Sequence, residues 1–481
     1  MRHISQSLSE LCEASASDLT AAFASADVSP VELAAACLAR AESINSTLNA
    51  FTVIDHDGAL AAANAAQVRW SRGQPLSAID GIPITVKDLI ACEGLDVRYG
   101  SLSAGRSPTL SDAPSVQRLR AAGAVILGLT TTPEFGWKGV TDSPRNGISR
   151  NPWNPSRTSG GSSGGAAIAA ATGAGVLHLG TDGGGSIRIP ASFCGVVGHK
   201  PTFGRVPSHP ASTFGTLAHV APMARTVGEV ILMLDILSGR SLRDWSQPPT
   251  AFAGICARPF QWRGVKIGYW EMPCIGPADH EVDALVRSTI NALAQAGAVV
   301  EPIRLPDQDS LPEMFKTHWY VGAAARIAGI DENAQAQCDP GLLAAAALGR
   351  ELSAVDHVRS QVARAQYGAK MDALLAQYDL VVSPTVAIAP FEAGADVPAN
   401  HGYTSWIEWA SFTFPINLSQ QPACSVPCGR TRMGLPVGLQ FIGARGADEK
   451  VLIAALSYEE MFTERFLSRG AAWPSRLQAF A

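Results

Sequence analysis

Apolar residues recur at helical spacing over residues 18–43. Ser29-Pro30 divides this stretch into two amphipathic helices and puts proline in the first turn of the second, where its missing N–H costs nothing. A further helix covers residues 59–72 and stops at Gly73. The short apolar run 83–86 reads as a strand with Lys87 at its end, followed by a helix over 115–122 and a buried strand over 124–128. Alanine density predicts a helix over 166–172, and residues 176–179 a strand that runs straight into a turn at 180–186. After a helix at 227–237 the composition turns loop-like beyond Arg243. A second strand–helix–strand unit then follows over 265–269, 280–296 and 298–302. Residues 310–378 are mostly helical, 378–384 form a strand, and 448–465 a closing helix. Proline and asparagine mark 146–157 as loop and 385–405 as a surface loop and candidate lid. This alternation predicts an α/β/α domain in which a large mixed, twisted central sheet, largely parallel, carries helices on both faces.

Composition narrows the function classes. The 481 residues are 47% hydrophobic and 16% charged, with a net charge of −5 and no basic run, so neither nucleic acid nor an anionic membrane surface is an expected partner. No run of about 18 apolar residues offers a membrane span. The N-terminus has no apolar core of a secretory signal. Nine cysteines are scattered without C-x-x-C spacing, which fits buried free thiols in a reducing, cytoplasmic compartment.

The chemistry concentrates between residues 160 and 202. Gly160-Gly161-Ser162-Ser163-Gly164-Gly165 is followed by Gly180-Thr181-Asp182-Gly183-Gly184-Gly185-Ser186-Ile187-Arg188, then by Gly195-Val196-Val197-Gly198-His199-Lys200-Pro201-Thr202. Glycine loses more backbone entropy on folding than any other residue, so such density needs a reason. Bare backbone lets a substrate approach closely and lets several N–H groups converge on one point. A hydroxyl beside those N–H groups makes a nucleophile next to an oxyanion hole. Serine alone is too weak a nucleophile for an amide. A lysine can act as its base only when neutral, which burial achieves. Lys87, closing the apolar run 82–86, fits that requirement.

These motifs resemble the amidase signature family. The resemblance covers residues 160–202 without a gap, the upstream segment Gly81-Ile82-Pro83-Ile84-Thr85-Val86-Lys87-Asp88 and the downstream strand Gly434-Leu435-Pro436-Val437-Gly438-Leu439-Gln440, and extends over roughly residues 20–466. It implies a single amidase domain over 1–481: N-terminal helices to about 75, a signature core at about 76–240, a variable cleft-lining segment at about 250–370, and a closing core at 371–481. It implies hydrolysis of a small amide through a serine acyl-enzyme, with no cofactor or metal. Ser186 is the nucleophile, Ser162 the proton relay preceded by a cis peptide bond, and Lys87 the base. The backbone N–H groups of Gly183, Gly184, Gly185 and Ser186 form the oxyanion hole. Ser163 supports the relay, and Thr181 and Asp182 brace the loop. Arg188 is read as a structural ion pair rather than a substrate contact. Phe135, Trp137, Trp319, Tyr320, Trp406 and Trp409 lie in segments that line the cleft in relatives, which favours an aromatic or aliphatic acyl group. A homodimer rests on the resemblance alone.

Rival chemistries fit less well. Ser162 and Ser163 both satisfy the G-x-S-x-G nucleophile elbow of α/β-hydrolases, but that motif needs a strand immediately before it and a later Asp and His. His178 and His199 are the nearby histidines; His199 stands where the family usually has leucine and reads as a packed side chain. No G-x-x-x-x-G-K-[S/T] phosphate loop and no H-E-x-x-H motif occurs. Within the family, carbamate or aryl ester hydrolysis follows the same acyl-enzyme logic. A glutamine-hydrolysing amidotransferase subunit carries an aspartate in a D-x-[FY]-T stretch. Here that stretch is Ala410-Ser411-Phe412-Thr413, and alanine cannot pair with an ammonium group.

Overall fold

A computed structural model describes residues 8–105, 107–249, 252–256, 258–399 and 401–467. One eleven-stranded sheet runs through it. Its strands are Phe51–Ile54 (β1), Pro83–Lys87 (β2), Val125–Thr130 (β3), Leu177–Asp182 (β4), Val197–Lys200 (β5), His219–Ala224 (β6), Lys266–Trp270 (β7), Val299–Ile303 (β8), Leu380–Pro384 (β9), Ala423–Arg430 (β10) and Pro436–Ile442 (β11). They stand in the order β1-β3-β2-β4-β6-β5-β10-β11-β9-β7-β8.

The two strand–helix–strand units read from the sequence lie toward opposite edges. β2 and β3 are parallel neighbours joined through the Pro114–Ala121 helix, and β7 and β8 through His280–Gln295. Between them the sheet departs from expectation. It is mixed, but six of its ten pairings are antiparallel, so it is not largely parallel. The connections give the reason: β10 and β11 are joined by the short turn at 431–435, which only antiparallel partners allow. β5, β6 and β10 lack a continuous apolar run because glycine, proline, histidine and lysine interrupt them, and pattern alone does not mark them as strands.

Alternation along the strands divides the interior. On β9, Leu380 and Val382 join one apolar cluster and Val381 the other, on the opposite face. One cluster packs the helices at 30–48, 227–237 and 448–461 against the sheet. The other is dominated by rings: Phe315 stacks on Trp319 at 5.2 Å and on Phe414 at 4.8 Å, and Trp406 meets Trp319 edge-on at 5.3 Å. The Gly164–Thr172 helix is buried along its whole length. A helix apolar on every side belongs inside a protein, and small side chains let it sit close against its neighbours. It thereby fixes the serines that precede it.

Segment 385–405 is not a surface loop throughout. Val386, Ala387, Ile388 and Phe391 are buried in the ring cluster, and Thr158 N–H donates to the Phe391 carbonyl at 2.7 Å. Asp396 accepts from Lys138 at 2.8 Å and its carbonyl from Trp409 Nε1 at 3.0 Å. The stretch 146–157, expected to be loop, contains short two-stranded ribbons, Arg150–Asn151 pairing with Asn154–Thr158. Seven of the nine cysteines are buried and all are free thiols. Among the described residues no helix is long and apolar enough to cross a membrane.

Candidate active site

Two parallel neighbours deliver the first groups. β2 ends at Lys87 and β4 at Asp182, with Val86 in register with Leu179, so Lys87 and Thr181 emerge side by side. The Gly160–Ser163 segment crosses in front of them. Gly161 is required there: a Cβ on it would lie 2.5 Å from the Val140 backbone. The Gly161–Ser162 peptide is cis, as the resemblance implied.

Lys87 is fully buried. Its Nζ lies 2.7 Å from Ser162 Oγ, 2.9 Å from Ser163 Oγ and 3.0 Å from Thr181 Oγ1. Burial drives its pKa well below that of an ordinary lysine, with only partial opposition from the charge of Asp182. Among the described residues no carboxylate pairs with it. Ser163 is fixed from both sides: its Oγ donates to the Thr181 carbonyl at 3.1 Å and its N–H to the Ser186 carbonyl at 3.0 Å. Ser163 and Thr181 can therefore accept from a neutral amine while Ser162 donates to its lone pair.

Ser186 follows the glycine turn and, with Ser162, Thr181 and Gly183, lines a cavity of about 230 Å³. Among the described residues its hydroxyl makes no hydrogen bond. The turn is held by Asp182, whose carboxylate accepts from Gly185 N–H at 2.8 Å and Ile187 N–H at 3.2 Å. The oxyanion-hole expectation is corrected at one position, because Gly185 N–H is occupied by Asp182. The N–H groups of Gly183, Gly184 and Ser186 have no acceptor among the described residues. Gly185 adopts φ +127°, and a Cβ there would lie 2.3 Å from Thr413 Oγ1, so no other residue fits.

Arg188 is an internal ion pair. It donates to Asp182 at 3.0 Å, to Gln440 Oε1 at 2.7 Å and to Asn417 Oδ1 at 2.6 Å, fully buried. Burial alone would raise the Asp182 pKa. The charge and hydrogen bonds of Arg188 outweigh it and hold the carboxyl well below the usual range. Arg188→Met would leave Asp182 charged, buried and unpaired. It is expected to cost about 3–5 kcal/mol of stability, checked as a fall in Tm.

Sequence reasoning missed several residues. Thr413 Oγ1 donates to the Gly184 carbonyl at 2.7 Å, and Asn417 Nδ2 to the Asp182 carbonyl at 3.1 Å and carboxylate at 2.9 Å. With Gln440 they lock the glycine turn before Ser186 from the far end of the chain. The loop 207–214 supplies much of the cavity wall, and Phe214 stacks on Trp319 at 4.0 Å. His219 also lines the cavity, its Nδ1 donating to the Leu217 carbonyl at 2.8 Å, with Lys200 Nζ 3.3 Å from its Nε2.

Of the six proposed pocket aromatics, Phe135 and Trp319 line the cavity; Trp137, Tyr320, Trp406 and Trp409 do not. Trp409 stacks on Phe193 at 6.1 Å, and Trp137 offers its carbonyl to Trp319 Nε1 at 2.9 Å, so both support the wall from behind. Among the described residues, segment 250–370 contributes only Trp319 and Arg326 to the lining, less than expected. The histidines near the motif are engaged elsewhere. His178 Nδ1 lies 2.9 Å from Thr85 Oγ1, and His199 Nε2 lies 3.1 Å from Asp448 Oδ1. A nucleophile elbow thus finds no histidine at Ser162 or Ser163 among the described residues; their neighbour is Lys87.

The chain matches the amidase family model over residues 32–452. It is 34% identical over 457 residues to an acylamidase of Rhodococcus erythropolis, covering 92% of this chain and 94% of that protein. It is also 34% identical over 493 residues to a glutamyl-tRNA(Gln) amidotransferase subunit of Chloroflexus aurantiacus, covering 95% and 98%. A bacterial aryl acylamidase of the amidase signature family has a TM-score of 0.86 at 27% identity over 98% of both chains. A 6-aminohexanoate cyclic dimer hydrolase has 0.84 at 27% identity, over 96% of this chain and 99% of that one. The chain therefore belongs to the amidase signature family and is an amide-hydrolysing enzyme.

Proposed function

We propose that the chain, acting as one amidase domain, hydrolyses the C–N bond of a small aromatic or aliphatic amide through an acyl-enzyme on Ser186. The observation that carries this reading is Lys87: fully buried, without a carboxylate partner among the described residues, its Nζ 2.7 Å from Ser162 Oγ. Ser186 Oγ attacks the carbonyl carbon, and its proton passes through Ser162 to neutral Lys87. The N–H groups of Gly183, Gly184 and Ser186 receive the oxyanion. Lys87 returns the proton through Ser162 to the departing nitrogen, and water then cleaves the ester by the same path. No step calls on a metal or cofactor.

The substrate side of the cavity supports an aromatic or aliphatic moiety. Phe135, Trp319 and Phe214 present ring surface, and among the described residues no carboxylate stands in the lining to meet an ammonium group. That favours a stand-alone amidase over the second reading, a glutamine-hydrolysing subunit, to which the amidotransferase relatives point. Ala410, where that subunit carries aspartate, is buried and its carbonyl accepts from Thr413 N–H. Carbamates and aryl esters share the acyl-enzyme route. A panel of amides, carbamates and esters on the purified protein tests the reading, with highest kcat/KM expected on an aryl or aliphatic amide; glutamine as the best substrate would replace it.

The pH profile follows from Lys87. Only the neutral amine accepts a proton, so kcat/KM falls as pH drops through the Lys87 pKa. Burial lowers that pKa, which places the acid limb well below the ordinary lysine range. A limb near 10.5, the value of an exposed lysine, would show that Lys87 is not the base.

A further inference from the structure

The reaction leaves several polar groups of the cavity wall unused. Ser115 Oγ and Thr213 Oγ1 have no hydrogen-bond partner, but both are enclosed by protein. Arg326 differs. It is half-buried, lines the cavity, and is the one lining residue with a fixed charge among the described residues. Among those residues no carboxylate pairs with it and no acceptor takes its side-chain N–H groups. Only Nε is enclosed, so its two terminal nitrogens are open to a ligand. Its guanidinium sits 5.1 Å over the Phe135 ring, which holds it in place without neutralising it. Burial disfavours its charged form, and Tyr99 opposes this only in part. The acids beside Phe135 are engaged elsewhere: Glu134 accepts from Ser101 Oγ and Asp339 N–H, and Asp339 pairs with Lys138 at 3.1 Å.

The helix Leu311–Ala328 sets where this charge stands. Trp319, Gly322 and Arg326 fall on one face of it. Trp319 lies against the oxyanion turn: a Cβ on Gly183 would be 3.2 Å from its ring. Gly322 lets the 207–214 wall pack closely, since a Cβ there would be 2.6 Å from the Phe214 ring and 3.0 Å from the Thr213 carbonyl. Arg326 follows roughly two turns after Trp319, about 10 Å further along the helix axis. The wall thus offers ring surface beside the reacting groups and a lone cation beyond it. A planar guanidinium with open N–H groups matches a carboxylate through two parallel hydrogen bonds, and apolar surroundings strengthen the attraction.

We propose that Arg326 determines substrate specificity by binding a carboxylate remote from the scissile amide, while Trp319 and Phe214 hold the ring or chain between the two. Among the described residues no acid lines the cavity to meet an ammonium group, so the substrate class is an acidic amide rather than a zwitterionic amino acid. The inference rests on the amide-hydrolase reading for the scissile bond, but the subsite is tested by binding alone.

Hydrocinnamate and the neutral hydrocinnamyl alcohol are titrated calorimetrically at neutral pH into the wild-type protein and into Arg326→Gln, Arg326→Lys and Arg326→Glu. Hydrocinnamate is expected to bind the wild type about tenfold more tightly than the alcohol, in line with charge-assisted hydrogen bonds. Arg326→Gln narrows that ratio to within about twofold and leaves the affinity for the alcohol unchanged. Arg326→Lys, which keeps the charge but loses the planar fork, retains part of the preference, and Arg326→Glu inverts it. The proposal is overturned by equal binding of the two probes to the wild type, or by equal weakening of both in Arg326→Gln, the mark of a structural role. It is also overturned by an unchanged ratio in Arg326→Gln, which would seat the carboxylate elsewhere, as on the oxyanion N–H groups. Turnover of acetanilide by the wild type, run in parallel, reports separately on the amide-hydrolase reading.

Discussion

Ser186→Ala is expected to lower kcat on an amide by about 10⁴-fold or more while leaving the fold intact. Losses of this size accompany removal of a nucleophile that acts as one unit with its base. The structural reason to expect a clean chemical defect is that Ser186 Oγ has no hydrogen bond to lose among the described residues, whereas its carbonyl, retained in alanine, still accepts from Ser163 N–H. The residual rate then reports on the oxyanion N–H groups and substrate positioning, which the substitution does not touch. Circular dichroism and Tm check the fold, and steady-state turnover checks the loss. Activity within tenfold of wild type would place the nucleophile elsewhere.

The second large effect concerns Lys87→Ala. Removing a positioned acid–base group costs about 10²–10⁴-fold, and the cost should differ between substrates. An amine cannot depart without a proton, so an amide is expected to lose about 10⁴-fold. An activated aryl ester, whose phenolate leaves unaided, is expected to lose about 10²-fold because only proton removal from Ser186 is impaired. Lys87 touches Ser162, Ser163 and Thr181 at once, so its loss also leaves two buried hydroxyls and the half-buried one of Thr181 short of a partner. That structural defect slows both substrate classes alike, and the ratio of the two losses isolates the acid role. Equal losses on amide and ester would remove it.

The catalytic end of the molecule was far more legible in the sequence than its walls. Gly161 and Gly185 declare themselves because each sits where a Cβ would collide with Val140 or Thr413, and such positions admit only glycine. Lys87 reads as a buried base because it closes the fully buried strand β2. Arg188 is paired internally, as its place beside the glycine turn implies. The residues that lock the glycine turn before Ser186 were hidden by distance along the chain: Thr413, Asn417 and Gln440 reach Gly184, Asp182 and Arg188 only after β10 and β11 have been laid into the sheet. The 207–214 loop carries no apolar rhythm, so its place in the cavity wall follows from tertiary packing alone. Trp406 and Trp409 show the converse error. A large ring is as useful behind a wall as on its surface, and both are held in the ring cluster. Segment 385–405 has the composition of a loop, yet Val386, Ile388 and Phe391 anchor its first half inside.

Ser162 and Ser163 flank Lys87, Ser186 lines the same cavity as Ser162, and the central claim is that only Ser186 becomes covalently bound to substrate. Treatment with a fluorophosphonate, followed by proteolysis and peptide mass spectrometry, locates the modified serine directly. The account predicts a single adduct on the peptide containing Ser186, absent from Ser186→Ala and slowed in Lys87→Ala. An adduct on Ser162 or Ser163 that persists in Ser186→Ala would contradict it.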